Sequence, residues 1–302
     1  MTVRVIDNGT SGAAWIPSVW AQEILANLRA NIVLAKLVNR DYDAAVSEFG
    51  KTINVPQPVI LGTQTMPVDP TTTTNLTLST LPVNLDQWIT SEPVTVSDIA
   101  SIQSRPDIMA QITTAASIAV CEKIESTLWA TAAAAAYSVG TAGTDVVPVV
   151  LAKARQLLIQ NKVPQLAQRY AVLSPKDYAA VLTSQNVSYA LNYGGADAIR
   201  EGKVPTLYGL EIHESQLVPS VAGTPVTTQN LVFARDYMTL VTRPLPLPEA
   251  NVLAAIVTDS ETGLAFRMTL GYDQYKGASV FKIDVLFGTA ILRPEFGVQL
   301  KG

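Results

Sequence analysis

The sequence predicts an α+β fold, and three stretches carry that prediction. An alanine-rich run over 104–137 keeps helical spacing throughout, with Ile108, Ile112, Ala115, Ala119, Ile124 and Leu128 on one stripe. A segment over 51–95 holds Pro56, Pro58, Pro67, Pro70, Pro82 and Pro93, which forbid a long helix and leave paired extended chain. The tail, from "LAFRMTL" to "EFGVQL", alternates like a sheet and is punctuated by Gly271, Gly277 and Gly288.

The bulk properties narrow the class. The chain has 302 residues, 48% hydrophobic and only 15% charged, below the usual quarter. A surface so poor in charge is expected to be covered by something else. The net charge of -4 includes 21 Lys and Arg, so no basic excess points to nucleic acid. Cys121 is the only cysteine, which excludes an intramolecular disulfide framework. The start shows no charged and apolar pattern of a secretory signal. The run "STLWATAAAAAYSVGTAGT" is too weakly apolar to span a bilayer. Together these features predict a soluble protein made in a cytoplasm.

Each element follows in order. Over 18–37 the residues Trp20, Ile24, Leu28 and Ile32 recur every fourth position, with Pro17 and Ser18 suited to the first turn. That stripe serves either an ordinary core or an arm that grips a neighbour. Trp15 stands just before it. "FGKTINVPQP" carries the letters of a phosphate-binding loop, but Ala45 stands where the motif needs glycine, and the residues after it alternate like a strand. The ribbon of 51–95 is charged only at Lys51, Asp69, Asp86 and Glu92. A two-stranded ribbon is marginal alone in water, so it is expected to lie on another surface. The long helix starts with Ser104 as cap, Pro106 in the first turn and Asp107 at the positive end of the dipole. At about 1.5 Å per residue it would run roughly 50 Å, the width of the whole subunit. Beyond "SVGTAGTD" come a helix ended by Pro164, the buried strand "RYAVL", a helix capped at Ser174, and further strands.

Chemistry is scarce. His213 is the only histidine, and with one cysteine it cannot build a structural zinc centre. No G-x-S-x-G elbow accompanies Ser174 or His213, so a hydrolase is the weaker alternative. "NYGGAD" lacks the dinucleotide-binding spacing. Glu122 and Glu125 read as helix-face or capping charges. No enzyme, cofactor or metal is expected.

The order of parts resembles the major capsid protein of tailed bacteriophages, the Hong Kong 97-like fold. Several stretches are similar to the coat protein group of the Salmonella podoviruses: "VLSPKDYAAVL", "GKVPTLYGLEIHESQLVP", "NLVFARDYMTLVTRPLPLP" and "VLFGTAILRPEFGVQL". "GKTINVPQP" resembles the opening of the extended (E) loop in many such proteins. The resemblance spans nearly the whole chain and rests on colinear order rather than one motif. It departs from that podovirus coat in leaving no room for the large inserted domain. It implies an N-arm with an amphipathic helix and first P-domain strand over 1–49 and an E-loop over 50–96. The P-domain spine helix would follow over 97–145, an α/β A-domain over 146–250, and returning P-domain strands over 251–302. It further implies self-assembly into hexamers and pentamers that form an icosahedral shell. A separate scaffolding protein, a portal and packaged double-stranded DNA without sequence-specific contact would be partners, with no membrane. The protein would reside in the virion capsid after assembly in the host bacterial cytoplasm. An encapsulin-like compartment is the alternative within the same fold. Residues expected at inter-subunit contacts are Trp15, Trp20, Ile24 and Leu28 on the arm, Asp69 and Glu92 on the ribbon, and Arg105 and Arg293 as candidate partners for those acids. In the founding member of the fold a ribbon lysine is joined to a neighbour's asparagine. Here the ribbon has no lysine beyond Lys51 at its base, so no covalent chain-mail is expected.

Overall fold

The computed structural model describes residues 32–42, 51–57, 79–99, 108–184, 204, 206–248, 253–258 and 264–302. Two large sheets, a two-stranded ribbon base and one long helix organise them. The helix, Ile108–Ala132, forms the spine, and its 25 residues measure about 37 Å at 1.5 Å per residue. It ends sooner than the alanine run suggests. Ala133–Ala136 leave the helix in turns, and Ala136 N–H donates to Pro294 O at 3.2 Å. Buried Tyr237 donates its hydroxyl proton to Ala132 O at 2.9 Å, satisfying one of the last carbonyls. Tertiary contacts thus override alanine's helix propensity, and Tyr137 opens a strand instead.

The first sheet has six strands. We number the strands β1 (Thr52–Pro56), β2 (Thr80–Asn84), β3 (Gln87–Thr90), β4 (Val94–Ser97) and β5 (Tyr137–Gly140). They continue as β6 (Arg169–Leu173), β7 (Thr206–Leu207), β8 (Leu210–Glu214), β9 (Ser220–Val221), β10 (Thr227–Ala234) and β11 (Met238–Arg243). The last are β12 (Leu253–Thr258), β13 (Ala265–Asp273), β14 (Ala278–Ile291) and β15 (Gly297–Lys301). β14 is the longest strand, with 14 residues. β13 flanks its first half, and β11 pairs with its second half from Leu286 to Ile291. β3 and β4 pair with it along Ala278–Phe287, and β12 closes the outer side of β13. Phe281, Ile283, Val285 and Phe287, on one face, are buried in the main core. Asp284, on the opposite face, is also fully buried and takes an ion pair from Arg267 at 2.7 Å.

The second sheet has seven strands in the order β5-β15-β10-β6-β8-β7, with β9 added on β10. β6 is buried at all five positions, as a strand flanked on both sides and covered on both faces should be. Helices Pro148–Gln160 and Pro175–Thr183 accompany this sheet; the second is capped by Ser174, whose Oγ accepts Asp177 N–H at 3.2 Å. The stretch "QNLVFARDYMTLVTRP" is divided between the sheets: β10 belongs to one, a short 3-10 turn at Arg235–Tyr237 intervenes, and β11 belongs to the other. The tail is divided likewise. Leu253–Thr258, β13 and β14 build the six-stranded sheet, whereas β15 inserts between β5 and β10. Alternation marks a strand but does not say which sheet receives it.

One continuous core joins the sheets through the spine, from Val120, Ile124 and Leu128 to Phe233, Tyr237 and Phe287. Cys121 is fully buried there and packs as a small hydrophobe; burial pushes its thiol up to about 12.

Candidate functional site

The short segment 32–42 touches both the spine helix, through Glu125, and the base of the ribbon, through Tyr42. The ribbon base is β1 paired with β2, in register from Thr52 with Asn84 to Pro56 with Thr80. Its inner residues Val55, Val83 and Leu85 pack on Val241 of β11 in a small core of their own. The close approach depends on Gly288. A Cβ there would stand 2.2 Å from Asn84 O and 2.9 Å from its carbonyl carbon, both backbone atoms that cannot swing aside. The expectation that the ribbon rests on another surface therefore holds for its base within this chain.

The segment 32–42 is clamped at both ends. Leu34–Leu37 form one helical turn whose N-cap residue, Val33, offers no side-chain acceptor. Glu125 of the spine supplies it: Oε1 accepts Val33 N–H at 2.9 Å and Ala35 N–H at 3.2 Å. Asn39 then bridges to β11 in parallel register with Thr239, accepts Thr239 Oγ1–H at 3.0 Å, and donates through Nδ2 to Asp236 at 2.8 Å. Arg235 pairs with Asp41 at 2.9 Å, but both ends are exposed and such pairs contribute about 0–1 kcal/mol.

Two grooves flank these parts. The larger, about 670 Å³, runs between β3, β4 and the spine, with Trp88, Val94, Ile112 and Ala119 on its walls and Glu92 and Lys123 among its lining. Trp88 is 62% exposed, unusual for a tryptophan in a finished core. The second, about 500 Å³, is more polar and lies under the ribbon base, between Tyr42, Gln57, Asp236 and Arg293. Arg293 is half-buried there with its guanidinium 4.8 Å from the centre of the Phe296 ring.

Of the residues predicted from sequence, Glu92 and Arg293 thus line separate grooves, and no ion pair joins them within the chain. Trp15, Trp20, Ile24, Leu28, Asp69 and Arg105 lie outside the described residues. Sequence reasoning passed over Glu125 as an ordinary helix charge. Its spacing held the signal: it stands i+4 from Cys121 and i−3 from Leu128, both fully buried. It also missed the buried Asp177, which accepts hydrogen bonds from Ser174 and Asn230 at 2.7 Å, from Thr228, and from Val146 N–H at 3.2 Å. Burial by itself would raise Asp177, but the Thr228, Asn230 and Ser174 hydrogen bonds outweigh it and hold the carboxyl below its ordinary value.

Catalytic groupings do not form at the suspected residues. The Ser174 hydroxyl is committed to Asp177, and His213 faces Glu211 at 3.2 Å, its pKa lowered by burial against the pull of that carboxylate. Among the described residues no cluster of three or more His, Cys, Asp or Glu could hold a metal, and no helix is long and apolar enough to cross a membrane.

The chain is similar to known capsid proteins in both sequence and fold. The family model described as "Phage capsid protein" matches residues 71–242, and the model "P22 coat protein - gene protein 5" matches residues 215–302. No curated protein sequence matches. Among solved structures, that of Mycobacterium phage Che8 is similar at 19% identity with TM-score 0.66, over 89% of this chain and 90% of that one. The capsid of Cyanophage P-SCSP1u is similar at 17% identity with TM-score 0.63, over 89% and 87%. The virus-like particle from Pyrococcus furiosus is similar at 12% identity with TM-score 0.54, over 94% and 99%.

Proposed function

Because the chain belongs to the phage capsid protein family, we propose a specific way in which it builds its shell. The protein is a major capsid protein of a tailed phage with the Hong Kong 97-like fold, a structural component of the virion capsid that associates with copies of itself. In our reading, identical copies form hexamers and pentamers that close into an icosahedral shell, aided by a separate scaffolding protein and a portal. The shell then encloses double-stranded DNA held without sequence-specific contacts, and assembly takes place in the host bacterial cytoplasm. The units 1–49, 50–96, 97–145, 146–250 and 251–302 serve as arm, ribbon, spine, axial lobe and returning strands.

The observation that carries this reading is the family match across 71–242, more than half of the chain, which covers the second half of the ribbon, the spine and most of the lobe. The phage family model also favours a genome-enclosing shell over an encapsulin-like compartment. Physical argument supplies the rest. Interface cores lose charge, and this chain is only 15% charged. Closed shells need heterologous ring contacts as well as two-fold ones, and each contact can be weak because many engage at once. Trp15, Trp20, Ile24 and Leu28 are assigned to the arm's grip on a neighbour, and Asp69 and Glu92 to pairing with Arg105 and Arg293 of adjacent copies. Light scattering and electron microscopy of the purified protein with candidate scaffolds test the proposal. Shells or rings of five and six copies are expected; compact monomers under all conditions would defeat it.

A further inference from the structure

Glu125 has no part in the shell contacts above, yet it is the best-enclosed acid of the spine. Its residue is 0% exposed, and it reaches across 90 positions of sequence to the backbone of Ala35. Oε1 satisfies two N–H groups of the single turn Leu34–Leu37, while Oε2 is buried with no hydrogen-bond partner among the described residues. A carboxylate satisfied on one oxygen and starved on the other is expensive to ionise in place.

We propose that Glu125 is a protonation-controlled latch: as the neutral acid it holds segment 32–38 against the spine, and on ionising it loosens that segment. The neutral acid keeps a carbonyl oxygen for Val33 and Ala35 N–H, so docking survives protonation. Ionisation buries a charge whose second oxygen has nothing to accept from. Burial accordingly pushes the group up to about 7, against the opposing pull of the Ala35 and Val33 N–H groups.

Among the described residues the surroundings leave this titration to Glu125. On the docked turn the charged residue is Lys36, which favours the ionised form but only as the smallest influence. Beyond the turn, Arg40 donates to Thr242 at 3.4 Å. On the spine itself Cys121 stays neutral, and Glu122 lies on the exposed side. The face of β14 turned to the spine carries Phe281, Ile283, Val285 and Phe287, and β3 holds no acid or base.

The sign follows from linkage. A folded-state pKa raised from 4.5 to about 7 contributes docking stability that is complete below 4.5 and gone above about 7. The latch does not depend on shell formation, and the test uses the full-length subunit whether or not it assembles. Hydrogen exchange, corrected for intrinsic rates, is compared at pH 5.5 and 7.5. Amides of 33–38 should lose roughly twentyfold in protection between the two, as midpoints of 4.5 and 7 require, while β6 amides should not change. Glu125→Gln keeps the acceptor and cannot ionise, so its profile should be flat. As a measurement free of any variant, carboxyl carbon shifts of glutamate-labelled wild type should include one midpoint near 7. A flat wild-type profile, an equal slope in the Gln variant, or glutamate midpoints all near 4.5 would overturn the latch.

Discussion

At the scale of single residues, buried carboxylates set the acid response of the subunit, and they do so with opposite signs. Asp177 and Asp284 both sit below the ordinary 3.8: burial would raise each, but hydrogen bonds from Thr228 and Asn230, and from Thr90 and Arg267, prevail. Stability from a lowered carboxyl is present above 3.8 and is lost as pH falls through the folded-state value. The subunit should therefore begin to lose global stability below about pH 4, and denaturant titrations at pH 7 and pH 3 measure it. Asp177→Asn should cost about 2–3 kcal/mol at pH 7, because an amide turns donors toward donors, and should flatten the acid limb. An unchanged acid limb in that variant would assign the loss elsewhere. Tyr237→Phe should cost about 1 kcal/mol by removing the buried hydroxyl's bond to Ala132 O, which keeps only Ala135 N–H at 3.2 Å; melting followed by circular dichroism reads it.

At the scale of elements, the ribbon base is held by fit rather than by charge. Gly288→Ala would place a methyl carbon against Asn84 backbone, so β1 and β2 must lift from β11 and β14. We expect faster proteolysis within 51–57 and 79–86 with little change in the seven-stranded sheet; equal digestion of variant and wild type would show that the base adjusts without cost. Much of the element plan was legible in the sequence. The Ser174 cap and the buried run "RYAVL" each act locally, and each element stands where those signals put it. The end of the spine was not legible, because the contacts that stop it come from Tyr237 and Pro294, more than a hundred residues away. Sheet membership of β11 and β15 was hidden for the same reason: alternation is a property of one strand, whereas a sheet is chosen by its neighbours. Of the contact residues, only Glu92 and Arg293 fall in the described structure. A bond between copies needs a second copy, which one sequence does not supply.

At the scale of the whole molecule, predictions concern copies rather than folds. Trp20→Ala should yield a folded subunit that assembles poorly, since buried aromatic anchors at interfaces can be worth about 2 kcal/mol or more; unfolding of the isolated variant would place Trp20 in the subunit's own core. Glu92→Arg and Arg293→Glu should each reduce shell yield, with recovery when both are present, read by microscopy at low and high salt. Normal assembly of both single variants would leave the ribbon to apolar and backbone contacts. Denaturing gels of mature particles should show monomers, given the absence of a ribbon lysine beyond Lys51. Finally, consider β14 as a mechanical part. Ribbon strands β3 and β4 lie along it on one side, β13 on the other, and it runs through the turn at Pro294–Phe296 directly into β15 of the second sheet. The hydrogen bonds of antiparallel strands stand across the strand direction. A tug on the ribbon therefore loads them in shear, many together, instead of peeling them one by one. The subunit would behave like a lap joint, stiff in tension along the ribbon, with both sheets hauled as one piece.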